Sequence, residues 1–185
     1  SLEDEWEGSK KMLVLNGENC ENYAGKTIYE IANELNIIPI KAVIKVLLDT
    51  NLSTTCAFFG MKDEDIKSFL KLPYCMIGSD SIASKVNRSV HPRNNGTFPR
   101  VLGKYAREEQ VISMEEAVKK MTGYPAQRFN FSNRGLIKEG FFADLVIFDE
   151  NTVNDKATYT EPFNKPVGID YVIVNGCISI KNGEF

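Results

Sequence analysis

One carboxylate stands where α/β proteins keep their reacting groups. Tyr74–Ile77 reads as a β-strand, Gly78 and Ser79 let the chain turn, and Asp80 then projects from the strand end rather than lying along a solvated helix face. In parallel α/β architectures the chemistry gathers beyond the carboxyl ends of strands. Asp80 is therefore a candidate acid or base; the plain alternative is a cap for the segment that follows. Residues 81–107 carry Lys85, Arg88, Arg93, Arg100, Lys104 and Arg107 and no acid, in a chain of formal net charge −3. Guanidinium groups grip carboxylate or phosphate through a two-pronged fork, so this stretch could bind an anion. Equally, its arginines could pair with acids elsewhere in the chain. A sequence pI near 5.4 argues against a nucleic-acid partner, whose phosphates call for a predominantly basic surface. His91-Pro92-Arg93 and Asn94-Asn95-Gly96-Thr97 are turn formers, and the reading is of an ordered loop suited to ligand contact.

These residues alone offer little for a protein-only metal site. There is one histidine, and Cys20, Cys56, Cys75 and Cys177 form no Cys-x-x-Cys pair, so the spacing matches no known pattern for a zinc site of three or four nitrogen and sulfur ligands. The thiols read as small hydrophobes in a reducing, cytoplasmic setting, with Cys56, Cys75 and Cys177 inside strand-like runs. No apolar run approaches the roughly 20 residues of a membrane helix, and the acidic stretch 1–11 has no apolar core for a signal peptide.

The elements that must position Asp80 follow from periodicity. Thr27 and Glu30 make a capping box, and Ile28, Ile31, Ala32 and Leu35 recur at helical spacing. Pro39 suits the first turn of a second helix with Ile40, Val43, Ile44, Leu47 and Leu48 as its stripe. Thr54–Phe59 reads as a buried strand. Asp63, Glu64 and Asp65 open a helix that buries Ile66, Phe69 and Leu70 and stops at Pro73. Strand, helix and the 74–77 strand predict a parallel βαβ unit. Ser113 and Glu116 make another capping box, opening a helix with Met114, Ala117, Val118 and Met121 inward, and Pro125–Phe129 adds a short turn. Phe141–Phe148 reads as a strand, and 171–180 as a hairpin about Asn175-Gly176. The reading is α/β at first and β at the end, in a chain of 185 residues against the roughly 250 of a full (β/α)₈ barrel.

Several motifs carry a family resemblance: Met76–Asp80, His91-Pro92-Arg93, Gly96-Thr97-Phe98-Pro99-Arg100-Val101-Leu102-Gly103, Gly140–Asp149 with its Gly-x-x-Ala-Asp-Leu core, and Pro166-Val167-Gly168-Ile169. Together they resemble the C-terminal part of the D-aminoacylases, the N-acyl-D-amino-acid deacylases of the amidohydrolase superfamily. The resemblance implies the last βα units of a metal-dependent (β/α)₈ barrel plus late strands of a flanking β-sandwich. It divides the chain into a helical insertion at 1–50, barrel units at 51–131 and sandwich at 132–185. It implies zinc in the full-length protein and a metal-activated water that attacks the amide of an N-acyl-D-amino acid. Asp80 then matches the aspartate at the end of the last barrel strand, a metal ligand that takes the water's proton and passes it to the leaving amine. Arg93 matches the arginine that receives the substrate's α-carboxylate. The family's His-x-His, cysteine bridge and later histidines have no counterpart here, and Ile82–Val90 holds no histidine. The expectation is an inactive isolated fragment that holds no tight zinc, from a deacylase parent. The alternatives are a cyclic-amide hydrolase of the dihydroorotase kind and a non-catalytic anion-binding module. An exposed sheet edge predicts a homo-oligomer.

Overall fold

The computed structural model describes residues 6–81 and 91–184. They fall into two units, one of residues 6–61 with 91 and the other of 62–81 with 92–184. In the first, β1 (Met12–Asn16) pairs antiparallel with β2 (Thr55–Phe58). Between them lie α1 (Ile28–Leu35) and α2 (Pro39–Asp49). Thr27 caps α1 as its sequence requires: Thr27 Oγ1 accepts the Glu30 N–H at 3.2 Å, and Glu30 Oε2 accepts the Thr27 N–H at 2.7 Å. Ile28, Ile31 and Ala32 bury against Val14, Cys20, Ala42 and Val46.

Two expectations change in this unit. The stripe expected to bury α2 is largely exposed; the helix packs through Pro39, Ala42 and Val46 instead, leaving Ile40, Ile44, Leu47 and Leu48 in water. Apolar residues occupy both sides of the helix, so periodicity could not choose the inward one. Nor is β2 a buried strand. Among the described residues its one ladder partner is β1, only Ala57 of the strand is buried, and Phe58 is 69% exposed.

The second unit begins with α3 (Asp63–Leu70), whose first turn carries three acids. No strand forms over 74–77, so the expected parallel βαβ unit is absent. A strand needs a neighbour for its backbone groups. Here α5 (Met114–Met121) supplies bonds in its place, with the Ile77 N–H donating to Lys120 O at 3.1 Å. The stretch expected as a loop is helical from residue 93: α4 (Arg93–Arg100) runs directly into a π-helix, Val101–Glu108. Pro99 interrupts the helical hydrogen bonding, having no N–H to give. Gly103 lets the π-helix approach the 153–154 backbone, since a Cβ there would lie 2.6 Å from Val153 O. Leu70, Val101, Leu102, Tyr105, Ala106, Ala117 and Val153 form this unit's core, with Met114 and Met121 packed against it as expected.

Asp63 ties α3 to the π-helix. Its carboxylate accepts Lys104 Nζ at 2.8 Å, Tyr105 OH at 2.9 Å and Lys67 Nζ at 2.8 Å, while Glu109 Oε2 takes the other side of Lys67 at 2.9 Å. Donation by Lys104, and next by Lys67, holds the Asp63 carboxyl well below the usual carboxylate range. A lowered folded-state pKa gives stability that is present above the unfolded value of about 4 and is lost on acidification below it. Asp63→Asn should therefore lower the urea midpoint at pH 7, and the gap from the parent protein should close as pH falls from about 4 towards 2. A gap independent of pH would show that the ionised form contributes nothing.

The chain continues through α5, capped by Ser113 Oγ accepting the Glu116 N–H at 3.1 Å, and α6 (Gly123–Arg128). It ends in an antiparallel sheet of order β3 (Leu145–Phe148), β4 (Ile169–Val174), β5 (Cys177–Lys181). Asn175 (φ 51°) and Gly176 (φ 80°) make the tight turn between β4 and β5 that their types favour. The first strand is shorter than expected, because 141–144 serves another contact. Asp144 pairs with Arg134 and accepts the Asn175 N–H at 2.8 Å, and Arg134 Nη2 donates to Asn175 Oδ1 at 2.7 Å. The Gly-x-x-Ala-Asp-Leu aspartate thus braces the hairpin turn.

Candidate functional site

Asp80 and Arg93, separated by 13 residues, meet. Arg93 Nη1 lies 2.9 Å from Asp80 Oδ2, with the aspartate side chain 84% exposed and the arginine side chain 38% exposed. Arg93 stands there because it is the first residue of α4. Asp80 sits at the end of the irregular 75–81 segment with a left-handed backbone, φ 49°. That conformation costs a non-glycine residue energy, though aspartate tolerates it better than most. The pair is ionic, open to water at the carboxylate and half sheltered at the guanidinium.

The rest of the basic run behaves differently from an anion-binding loop. Arg100 pairs with Asp155 at 3.1 Å, Lys104 with Asp63, and Arg107 with Glu108 at 2.8 Å while donating to Val153 O at 2.6 Å. These partners lie as far as 55 residues away in sequence, so these three charges are neutralised within the fold. The three cations are staples of the helix 93–108, which among the described residues of the run leaves Arg93 for an anion; Lys85 and Arg88 lie outside the described residues.

Lys120 was invisible as a site residue in the sequence. It lies on α5 only 1% exposed, its Nζ donating to Leu72 O at 2.6 Å and Cys75 O at 3.2 Å and pairing with Glu116 Oε1 at 3.3 Å. Its one signal was position: it falls three residues after the fully buried Ala117, on the inward face.

The described residues do not fit a zinc centre of their own. No group of three or more His, Cys, Asp or Glu side chains converges among them, and Asp80 offers a single carboxylate already facing Arg93. All four cysteines are free; Cys20 is buried, Cys177 is exposed, and Cys75 lies outside any strand. Among the described residues no helix is long and apolar enough to cross a membrane.

The chain belongs to the amidohydrolase family, whose model matches residues 55–180. Among its relatives, an N-acyl-D-glutamate deacylase of Alcaligenes xylosoxydans xylosoxydans is 41% identical over 120 residues, 65% of this chain and 24% of that protein. A D-aminoacylase of the same organism is 39% identical over 170 residues, 90% of this chain and 31% of that protein. The crystal structure of N-acyl-D-glutamate deacylase from Bordetella bronchiseptica, complexed with zinc and a phosphonate mimic of the tetrahedral intermediate, superposes with a TM-score of 0.81 at 32% identity. That match covers 96% of this chain and 37% of the other. The chain thus spans between about a quarter and somewhat over a third of the length of these relatives.

Proposed function

We propose that this chain is the C-terminal part of a zinc-dependent hydrolase that cleaves the amide of N-acyl-D-amino acids to a carboxylate and a free D-amino acid. The observation that carries this reading is the Asp80–Arg93 pair at 2.9 Å, in a chain similar to deacylases along most of its length. Residues 1–50 would be the helical insertion, 51–131 the last βα units of the barrel and 132–185 the sandwich portion. The segment 74–77 would become a strand only beside barrel strands that lie outside this chain. A bound zinc ion would polarise the scissile carbonyl; Asp80 is the one ligand this chain would lend it, so the isolated chain would be inactive. A homo-oligomer through an exposed sheet edge, and a cytoplasmic location, complete the reading.

This chain's own contribution would be proton transfer and orientation. Asp80 would accept a proton from the attacking water and return it to the departing amine nitrogen, an acid/base role that its open carboxylate suits. Arg93 has five donors, enough to hold Asp80 and a substrate carboxylate together. The scissile amide nitrogen and the α-carboxylate share one carbon, so that arrangement would bring the amide to Asp80.

The full-length protein loaded with zinc should release D-amino acid from N-acetyl-D-glutamate, N-acetyl-D-aspartate or a neutral N-acetyl-D-amino acid and spare the L-enantiomers. Opening of dihydroorotate alone would replace this reading with the cyclic-amide one. Arg93→Gln should raise KM about 30-fold, the equivalent of about 2 kcal/mol for removing one side of a charge-assisted pair. An unchanged KM with reduced kcat would instead assign Arg93 to holding Asp80.

A further inference from the structure

Lys120 is the largest fully buried side chain among the described residues and carries a charge. Burying an ammonium group is costly unless its donors are met. It has three, and three acceptors surround it: Leu72 O, Cys75 O and Glu116 Oε1. Its own carbonyl takes a fourth contact, the N–H of Ile77 at 3.1 Å. Three of the four bonds end on one short stretch, Leu72, Cys75 and Ile77. That stretch has no regular secondary structure, and it leads within three residues to Asp80. A positive group at the end of α5 also suits the helix dipole, but a solvated lysine would do that equally well. What burial adds is a fixed point beneath the segment, while Arg93 meets the same segment at its tip.

We propose that Lys120 is a positioning residue that sets the location of the Asp80 carboxylate. This rests on the acid/base reading of Asp80 given above. The ammonium anchors Leu72 and Cys75, the Lys120 carbonyl anchors Ile77, and Asp80 then has only Gly78 and Ser79 between it and a fixed backbone. Displacing a reacting group by about 1 Å can cost on the order of a hundredfold in rate, so an anchor this close is expected to show in turnover.

The test uses the full-length, zinc-loaded protein. Lys120→Met keeps an unbranched apolar stem and removes the charged end; Lys120→Gln keeps two N–H donors without the charge and serves if the methionine variant does not fold; Lys120→Arg restores charge and donors. The expected result is a fall in kcat of about tenfold or more for Met or Gln. KM and zinc content should stay near the parent values while the melting temperature falls by a few degrees, because Leu72 O and Cys75 O lose their donor, and arginine should recover part of the kcat loss. Amide exchange should rise over 72–81 and not over α3. Wild-type kcat in Lys120→Gln with Asp80→Asn inactive would overturn this proposal alone. So would a loss of zinc, melting temperature and exchange protection throughout the unit, which marks a purely structural lysine. Full activity in Asp80→Asn would overturn both readings. A parent protein inactive on every N-acyl-D-amino acid would remove the substrate assignment, while exchange over 72–81 would still report whether Lys120 holds the segment.

Discussion

Asp80→Asn in the full-length, zinc-loaded protein should lower kcat by about 10²–10⁴, the range that a positioned acid/base group supplies. Asparagine is the informative substitution for a backbone reason. Asp80 is held at φ 49°, a conformation that asparagine adopts with little penalty and that a β-branched residue would resist. The contact with Arg93 also survives in part, because the amide oxygen still accepts from the guanidinium. What is lost is the ability to take up and release a proton. Most of the zinc should remain, since a single carboxylate cannot be the whole of a metal site. Steady-state kinetics with metal analysis on the same samples separates the two effects. Near-full kcat would show that the proton passes elsewhere.

Gly168→Ala should destabilise the protein by about 3 kcal/mol or more, a large part of the roughly 5–15 kcal/mol that holds a domain folded. Two costs coincide. Gly168 sits at φ +75°, and an added Cβ would lie 2.4 Å from Val153 N and 2.6 Å from its Cα. These are backbone atoms of a fully buried residue, so no flexible side chain can swing aside. Overpacking a filled site and straining a left-handed backbone each cost about 1–3 kcal/mol. The site also joins elements, for Gly168 O accepts the Asp149 N–H at 2.9 Å immediately before β4 begins. A thermal melt should show a midpoint several degrees lower. An unchanged midpoint would mean that the 152–153 backbone gives way freely.

The features legible from sequence are those decided by residues close together in the chain. The Thr27–Glu30 box and the Asn175-Gly176 turn form as read, and of the Ser113–Glu116 box the serine half forms; each rests on contacts within three residues or so. Helix 93–108 was not legible for the opposite reason. Asn94, Asn95, Gly96, Thr97 and Pro99 are poor helix formers, and the helix is held by Asp63, Val153 and Asp155, some 40 to 55 residues distant. The 74–77 strand failed because β propensity expresses itself only beside a partner, and here the neighbouring groups belong to Lys120. Of the site, the identity of Asp80 and Arg93 came from motifs. Their proximity, and the lysine below them, needed the fold.

The outward face of α2 bears on handling as well as on architecture. Ile40, Ile44, Leu47 and Leu48 stand on one helix in water, Leu48 68% exposed, in a chain whose net charge of −3 gives weak mutual repulsion. Excluded salts such as sulfate strengthen the burial of such surface. The chain will therefore salt out early, and dilute buffers free of sulfate and phosphate are its proper storage medium.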